Sequence, residues 1–407
     1  MSPDALVVTG MSAIAPNGVG LEEYWAATLA GTSGIGALQR FDAGSYPVRL
    51  AGEADRFVAS DHVPTRLITR TDRMTHLALA AAEWALADAG VDTQRLGEYD
   101  AAVVTANSSG GYEFGQREMQ ALWSQGPRSV GAYQSIAWFY AASTGQISIR
   151  HKFRGPCGVI ASEQAGGIDA AAQAMRTVRA GTRLAVTGGT DASLSPWGFV
   201  SQLATGRLSE RPDPRRAYVP FDTEACGYVP GEGGAMLVVE SAAAASARGA
   251  RRIYGQLRGS ATTFDPRPGS GRPPALRRAI ESALADAGVR ASDIDVVFAD
   301  GMGVPEYDAA EAAALTDVFG RHGVPVTVPK TMTGRLYAGG AALDVVTALL
   351  SVRDGVIPPS VSITRPVPDY GLDLVIGRPV RRTVRNALVV ARGYGGFNAA
   401  LVVGENT

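Results

Sequence analysis

Residues 155–181, which read GPCGVIASEQAGGIDAAAQAMRTVRAG, predict a strand that turns sharply into a helix. An apolar run at 159–161 meets a polar corner at 162–164. The helix of small residues that follows is expected to end at Gly181, because a glycine there can adopt the left-handed conformation. Such a corner presents one side chain in front of a helix N-terminus, where developing negative charge is favoured. The exposed corner residue is predicted to be Gln164, whose amide cannot act as a thiolate or alkoxide nucleophile.

The composition is typical of a soluble globular protein. The chain has 407 residues, 46% hydrophobic and 19% charged, enough for two domains or one duplicated unit. The formal net charge of -1 predicts no affinity for nucleic acid or anionic membranes, and no apolar run approaches the roughly 18 residues that span a bilayer. Two cysteines without a CxxC pair, and no secretory leader, predict a cytoplasmic protein. The histidines lack ligand spacing, so we expect neither a metal nor a cofactor.

Strand and helix patterns alternate along the whole chain, which predicts an α/β fold. An Ala/Arg-rich helix at 241–252 suggests a boundary between an N-terminal half, residues 1–250, and a C-terminal half, residues 251–407. Each half is expected to hold a mostly parallel sheet covered by helices. The main predicted helices lie at 71–89, 112–123, 275–287 and 309–319.

Two further features bear on possible partners and reactive groups. Residues 135–149 are apolar nearly all round, which predicts that they lie deep inside or against a partner chain. Cys157 and Cys226 have no activating base nearby in sequence, and we expect both to be small buried side chains rather than nucleophiles.

Several motifs together make the chain resemble the β-ketoacyl synthase family, which has the thiolase-like fold. They include VVTGMSAIAPNG at the start, SEQAGGIDA at the corner, GYVPGEGGAMLVVE, VPKTMTGR and GYGGFNAA. Within the family the phrases ANSSGGYEF and WFYAASTGQISIRH are similar to those of the chain length factors, the ketosynthase β subunits of type II polyketide synthases. The resemblance implies two duplicated βαβ-rich halves in a layered αβαβα arrangement.

The resemblance also implies that the catalytic residues of the family are replaced in this chain. The family's nucleophilic cysteine falls on Gln164, and its two histidines fall on Asp300 in ADGMGV and Arg335 in VPKTMTGR, while the supporting Lys330 is retained. A carboxylate at 300 would repel an oxyanion, and an arginine at 335 can accept no proton. Because such residues act as a unit, we expect no condensation by this chain alone.

The role implied for a chain without catalytic residues is to shape the product. Chain length factors resemble obligate partners of the catalytic ketosynthase α subunit, and the heterodimer works with an acyl carrier protein. The residues that set chain length in that family correspond to Tyr112, Gly115 and Met119, whose helical spacing places them on one face. A glycine at 115 leaves space, and methionine is flexible, so a deep tunnel for a long polyketide is expected.

Three alternatives remain at this point. The amide of Gln164 could bind a malonyl thioester and support priming by decarboxylation, or it could simply fill the corner. The chain could also be an active β-ketoacyl synthase that uses unfamiliar residues such as Lys330. Finally, it could stabilise a homologous enzyme without contributing any tunnel.

Overall fold

The computed structural model describes residues 2–267 and 269–406, which form one large mixed sheet flanked by helices. The helices are α1 Leu21–Leu29, α2 Thr65–Ile68, α3 Arg73–Asp88, α4 Tyr112–Gln125, α5 Gln134–Ala137, α6 Ala142–His151, α7 Gly166–Arg179, α8 Pro196–Leu203, α9 Ala242–Ala247, α10 Leu276–Ala287, α11 Pro305–Phe319 and α12 Ala338–Asp354. The strands are β1 Leu6–Ala15, β2 Gly18–Val19, β3 Ile35–Ala37, β4 Leu50–Gly52, β5 Ala101–Ala106, β6 Cys157–Ile160, β7 Leu184–Asp191, β8 Gly233–Ser241, β9 Gly255–Phe264, β10 Val296–Phe298, β11 Pro325–Thr327, β12 Val356–Ile357, β13 Asp373–Leu374, β14 Val380–Arg381, β15 Asn386–Arg392 and β16 Phe397–Gly404.

The main sheet contains the same strand pattern twice, so the expected duplication is confirmed. The N-terminal half runs β1-β8-β7-β5-β6 and the C-terminal half runs β9-β16-β15-β10-β11. If the five strands of each half are numbered in the order in which they occur in the sequence, both halves arrange them across the sheet in the order 1-5-4-2-3. The two halves join where β1 pairs with β9. The division at residue 250 stays a prediction.

The expectation of a mostly parallel sheet was wrong. In the N-terminal half β1–β8 and β8–β7 are antiparallel while β7–β5 and β5–β6 are parallel, and the C-terminal half repeats this mixture. Strands β7 and β8, like β15 and β16, are sequence neighbours within the sheet and run antiparallel. An antiparallel pair needs no helical crossover, whereas a parallel pair does.

The helices and the two halves of the sheet form five layers, as expected. On β8, Met236 and Val238 pack with α3, whereas Leu237 and Val239 face a central cluster that includes α7 and α12. On β16, Val402 likewise packs with α10 and α11 on the outer side. Because alternate residues of a strand point to opposite faces, each strand contributes to two cores. Helices α7 and α12 therefore lie between the two sheet halves.

Strand β6 forms one end of the main sheet, and its outer edge has no partner strand among the described residues. The carbonyls of Pro156 and Ile160 accept hydrogen bonds from Val103 and Asn107 at 3.0 and 3.1 Å. The main-chain groups of Cys157 and Val159, which alternate with these, therefore point to the open side. An unpaired edge of this kind is a template for another chain.

The expectation for the two cysteines was wrong, whereas one of the two alternatives for residues 135–149 still stands. Cys157 and Cys226 are both exposed, because one lies on the edge strand and the other in a surface loop. Residues 135–149 form most of α5 and of α6 with an exposed turn between them, so the segment is not deep inside the chain, and its burial against a partner stays a prediction. None of the helices in the described part of the chain is both long and apolar enough to cross a membrane.

Candidate functional site

The corner after β6 differs from the prediction in which side chain it exposes. Glu163 adopts a left-handed backbone conformation, with φ of 52°, and Gln164 is buried with 0% exposure. Gly340 on α12 makes room for Gln164, because a Cβ there would lie 2.4 Å from its Nε2 atom. Both polar atoms of the Gln164 side chain lack a hydrogen-bond partner within the described residues. The predicted exposure of Gln164 was therefore wrong, and Glu163 takes the outward position.

Asp300 and Arg335, the two residues predicted to replace the family's histidines, form a buried ion pair. Arg335 Nη1 donates to Asp300 Oδ2 at 2.9 Å, and both side chains are at most 1% exposed. The Arg392 amide donates to Asp300 Oδ1, while Arg335 Nη2 donates to the Arg392 carbonyl. The carboxylate and the guanidinium thus satisfy each other where imidazoles would be needed for proton transfer.

Electrostatics keep the guanidinium of this pair charged. Burial alone would lower the pKa of Arg335, but the carboxylates of Asp300 and Glu163 outweigh it and hold the pKa well above its usual value. Glu311 accepts from the amides of Asp300 and Gly301 at 2.7 and 2.9 Å, and burial raises its pKa to about 7. The loop at 300 is thus held in place by the Glu311 carboxylate.

Lys330 is retained but is occupied by structural contacts. Its Nζ donates to the Ala299 carbonyl at 2.7 Å and lies 2.7 Å from Asp344 Oδ2 on α12. Both side chains are buried, so the pair ties the loop before Arg335 to the central helix. These contacts hold the loop against α12.

A partly enclosed cavity of about 180 Å³, here called the inner chamber, lies beside the corner and the ion pair. It is lined mostly by hydroxyl, amide and charged side chains. The lining residues are Ser108, Ser109, Tyr112, Glu163, Ser201, Gln202, Thr205, Arg207, Tyr228, Met302, Arg335, Tyr337 and Tyr394. The structure therefore brings Tyr112 and Arg335 together in one cavity, whereas Gln164 does not line it.

The three predicted chain-length residues lie along α4 but face different surroundings. Tyr112 lines the inner chamber and Gly115 is buried, while Met119 is 38% exposed. Met119 lines an open groove of about 670 Å³, here called the α4 groove. The other lining residues of this groove are Gln116, Gln120, Trp123, Ser124 and Trp197.

Trp197 at the start of α8 is a functional candidate that the sequence analysis missed. Its ring meets Tyr112 edge to face at 5.0 Å between centroids, and a Cβ on Gly115 would lie 3.0 Å from its Cζ3 atom. The sequence does mark the helix start, because Ser195 caps α8 and Pro196 occupies its first position. Nothing local in the sequence places this helix against α4.

Two buried carboxylates fix the beginning of α4. Asp72 caps α3 by accepting from the Met74 amide at 3.0 Å and also accepts from the Phe114 amide at 2.8 Å. Asp191 accepts from the Ser108 and Ser109 amides, and from the Ala338 amide at the start of α12. The two side chains thereby fix the turn before α4, which forms part of the inner-chamber wall, relative to α3 and α12.

The surface around α4 carries many large apolar side chains. They belong to α4, to α5 with the residue before it and the turn after it, and to α8, and α4 packs against both α5 and α8. We call this surface the aromatic face. Its exposed members are Met119, Trp123, Tyr133, Ile136, Trp138, Phe139, Tyr140, Trp197 and Val200. Large exposed apolar side chains gathered on neighbouring elements indicate an interaction site.

Comparisons with known proteins agree with the motifs. The sequence model of the β-ketoacyl synthase N-terminal domain matches residues 4–245, and that of the C-terminal domain matches residues 254–364. The tetracenomycin polyketide synthase ketoacyl synthase β subunit of Streptomyces glaucescens is 60% identical over 403 residues, with 99% of this chain and 98% of that protein covered.

Two solved structures share the fold over their full lengths. The ishigamide ketosynthase/chain length factor has a TM-score of 0.91 at 29% identity, with 100% of both chains covered. A type II polyketide synthase acyl carrier protein in complex with its ketosynthase bound to the hexaketide provides a chain with a TM-score of 0.88 at 25% identity, again with 100% of both chains covered.

Proposed function

Because the chain belongs to the β-ketoacyl synthase family, and within it to the chain length factors of type II polyketide synthases, we propose that it sets product length for a catalytic ketosynthase. The observation that carries the proposal is the buried Asp300–Arg335 pair, together with a buried glutamine, Gln164, at the corner. The nucleophile and the two proton-transferring imidazoles of the family are all replaced, whereas a cavity is still present beside these positions. The chain therefore performs no condensation, and the chemistry belongs to its partner.

The proposed measuring element is α4 with the ring of Trp197. The α4 groove is apolar and open, so a partner chain laid over it would close it into a tunnel for the growing poly-β-ketone. Gly115 leaves the space in which Trp197 sits, and Met119 offers a flexible wall beyond it. Larger side chains at these positions would shorten the tunnel and hence the product.

The proposed partner is a catalytic ketosynthase α subunit in a heterodimer. Two features support this assignment: the aromatic face is too apolar to be left in water, and β6 offers an open strand edge. A homologous ketosynthase has the same fold and therefore a corresponding edge. An acyl carrier protein delivers the malonyl units to the partner, and we place the assembly in the cytoplasm.

The test is to replace Gly115→Trp, to co-express the variant with its ketosynthase, and to weigh the polyketides that the complex releases. The added ring must displace Trp197 into the α4 groove, so the product is expected to shorten by at least one ketide unit. Gly36→Trp is a matched control, because a Cβ at Gly36 meets no atom within 4 Å. The control is expected to give products of wild-type length.

The outcomes separate tunnel formation from simple stabilisation of the partner. An unchanged product length with reduced yield would favour a purely structural subunit. An unchanged length and yield would remove Gly115 from the tunnel wall. Size-exclusion chromatography of each complex shows whether the heterodimer still assembles.

A second candidate role, priming through Gln164, is favoured only by the two unpartnered polar atoms of its side chain. A thioester carbonyl that reached this site could accept from the amide Nε2. The test is Gln164→Ala, which is expected to slow release of CO₂ from malonyl-carrier protein if the amide takes part. Normal priming and yield in that variant would leave Gln164 as a filler of the corner.

A further inference from the structure

Helix α4 carries the residues that we propose measure the product, yet little of the helix is buried. Only two of its 14 residues, Phe114 and Gly115, are buried, and it packs mainly against α5, α8 and the short turn at 127–129. Gln116 accepts a hydrogen bond from the Trp197 amide at 2.8 Å, so α8 is fastened to α4 as well. These neighbours belong to the same exposed surface, and burial in the core therefore does little to fix the position of α4.

The first turn of α4 is held by polar contacts with other parts of the chain. No side chain caps the helix, whose N-cap position is Gly111. The Asp72 carboxylate accepts from the Phe114 amide at 2.8 Å, and Arg40 Nη2 donates to the Glu113 carboxylate. A carboxylate in the first turn is itself favoured by the helix dipole. The ion pair thus binds α4 within its first turn, between two of the residues that we propose measure the product.

The position of Arg40 is fixed by contacts outside α4. Its amide donates to the Glu53 carboxylate at 2.9 Å. Its Nη1 atom lies 4.0 Å from Oε1 of Glu232, a fully buried carboxylate to which Arg73 donates through two nitrogens at 2.7 and 2.8 Å. Because that carboxylate is already paired, the charge of Arg40 is available to Glu113. Within the described part of the chain, Glu113 has no other ion-pair partner.

Arg40 acts on α4 from outside both cavities. It lines neither the inner chamber nor the α4 groove, so its effect on a product would pass through the helix. Its side chain is 25% exposed and that of Glu113 is 38% exposed. A partly exposed ion pair adds little to overall stability, so its loss would release the helix without unfolding the protein.

We propose that Arg40 is a positioning residue for α4 and thereby determines how uniformly the product length is set, an inference that rests on the proposed function. The ion pair holds one orientation of the first turn, in which Tyr112 lines the inner chamber and Met119 lines the α4 groove. Without the pair, α4 samples more than one orientation, and the tunnel wall differs from one molecule to the next. The complex then releases a mixture of lengths in place of one.

The experiment compares the polyketides released by the complex of each variant with its ketosynthase, supplied with malonyl-carrier protein and analysed by mass spectrometry. Arg40→Gln keeps a polar side chain and removes the charge, and we expect the ratio of other lengths to the dominant length to rise about threefold. Arg40→Lys keeps the charge and is expected to retain most of the wild-type ratio. Arg56→Gln is the matched control, because Arg56 forms a surface ion pair with Glu23 on α1, and it is expected to leave the ratio unchanged.

A double-variant cycle separates positioning from a general loss of stability. Glu113→Gln alone should raise the ratio by the same factor as Arg40→Gln. The double variant Arg40→Gln/Glu113→Gln should raise it no further, since all three changes remove one ion pair. Size-exclusion chromatography and thermal denaturation of the complexes should show assembly and melting temperatures close to those of the wild type, because the pair is partly exposed.

The results that would overturn this inference differ from those that would overturn the proposed function. If Arg40→Gln and Glu113→Gln give the wild-type ratio while Gly115→Trp still shortens the product, Arg40 does not position α4 and the proposed function stands. If none of the three changes the lengths, both are overturned. A ratio in Arg40→Lys as high as that in Arg40→Gln would show that the charge does not hold the helix, and it would also overturn the inference. Should Arg40→Gln fail to assemble, Glu113→Gln removes the same pair from the side of α4 and decides in its place.

Discussion

Asp300 and Arg335 neutralise each other inside the protein, and their energetics follow from that burial. We predict that Asp300→Asn lowers the free energy of unfolding by about 3–5 kcal/mol, because it leaves Arg335 buried without its counter-ion. Arg335→Met should also destabilise, since Asp300 then loses its partner. Chemical denaturation of the complex measures both effects.

The double variant Asp300→Asn/Arg335→Met provides the internal control. It removes both charges, so its cost is expected to be clearly smaller than the sum of the two single costs. Additive costs would mean that the two side chains do not depend on each other, contrary to the geometry.

For single residues, the motifs predicted which positions form the site, but they did not predict how the side chains at those positions are oriented. Motif positions identified Gln164, Asp300 and Arg335, but the inward turn of Gln164 depends on Gly340, which arrives from a distant helix. The pairing of Asp300 with Arg335 is likewise a contact between loops far apart in the chain. Local patterns carry no information about such contacts.

Helix α4 depends on a buried carboxylate whose charge is sensitive to pH. Burial raises the pKa of Asp72 to about 7, although the Phe114 and Met74 amides that it accepts from act to lower it. The folded chain therefore holds this proton more tightly than the unfolded chain, in which the pKa is about 3.8. The resulting contribution to stability is full below pH about 4 and is lost as the pH rises through about 7.

We predict that Asp72→Asn, which stays neutral, removes this pH dependence. The stability of the wild-type complex relative to the variant should fall between pH 5 and pH 8, by at most about 1.4 kcal/mol per pH unit. Thermal denaturation at several pH values measures the difference, and Asp92→Asn is the control, because Asp92 caps a turn on the exposed surface. A constant difference across this range would show that Asp72 does not titrate as described.

At the scale of elements, helix positions were predicted well and strand directions were not. Helix α3 was expected at 71–89 and spans Arg73–Asp88, because its apolar period and the Asp72 cap are both local signals. Whether two neighbouring strands run parallel is decided by the path of the chain between them, which no local pattern records. Trp197 was missed for the same reason, because its contacts with Tyr112 and Gly115 exist only when α8 packs against α4.

For the molecule as a whole, the open edge of β6 should be part of the heterodimer interface. Val159→Pro removes a main-chain donor that points outward, so we expect it to weaken assembly with the ketosynthase at least tenfold. Val159→Thr keeps the donor and the branched shape and should assemble normally. Analytical ultracentrifugation of mixed subunits measures the affinity, and equal affinities for the two variants would place the interface elsewhere.

The most direct test is to identify the product that the purified chain forms from malonyl-carrier protein, with and without its ketosynthase. A subunit whose nucleophile and bases are replaced should form no carbon–carbon bond alone. With the ketosynthase present, we predict a poly-β-ketone of one dominant length. Condensation by the isolated chain, detected as any product longer than the starter unit, would contradict it.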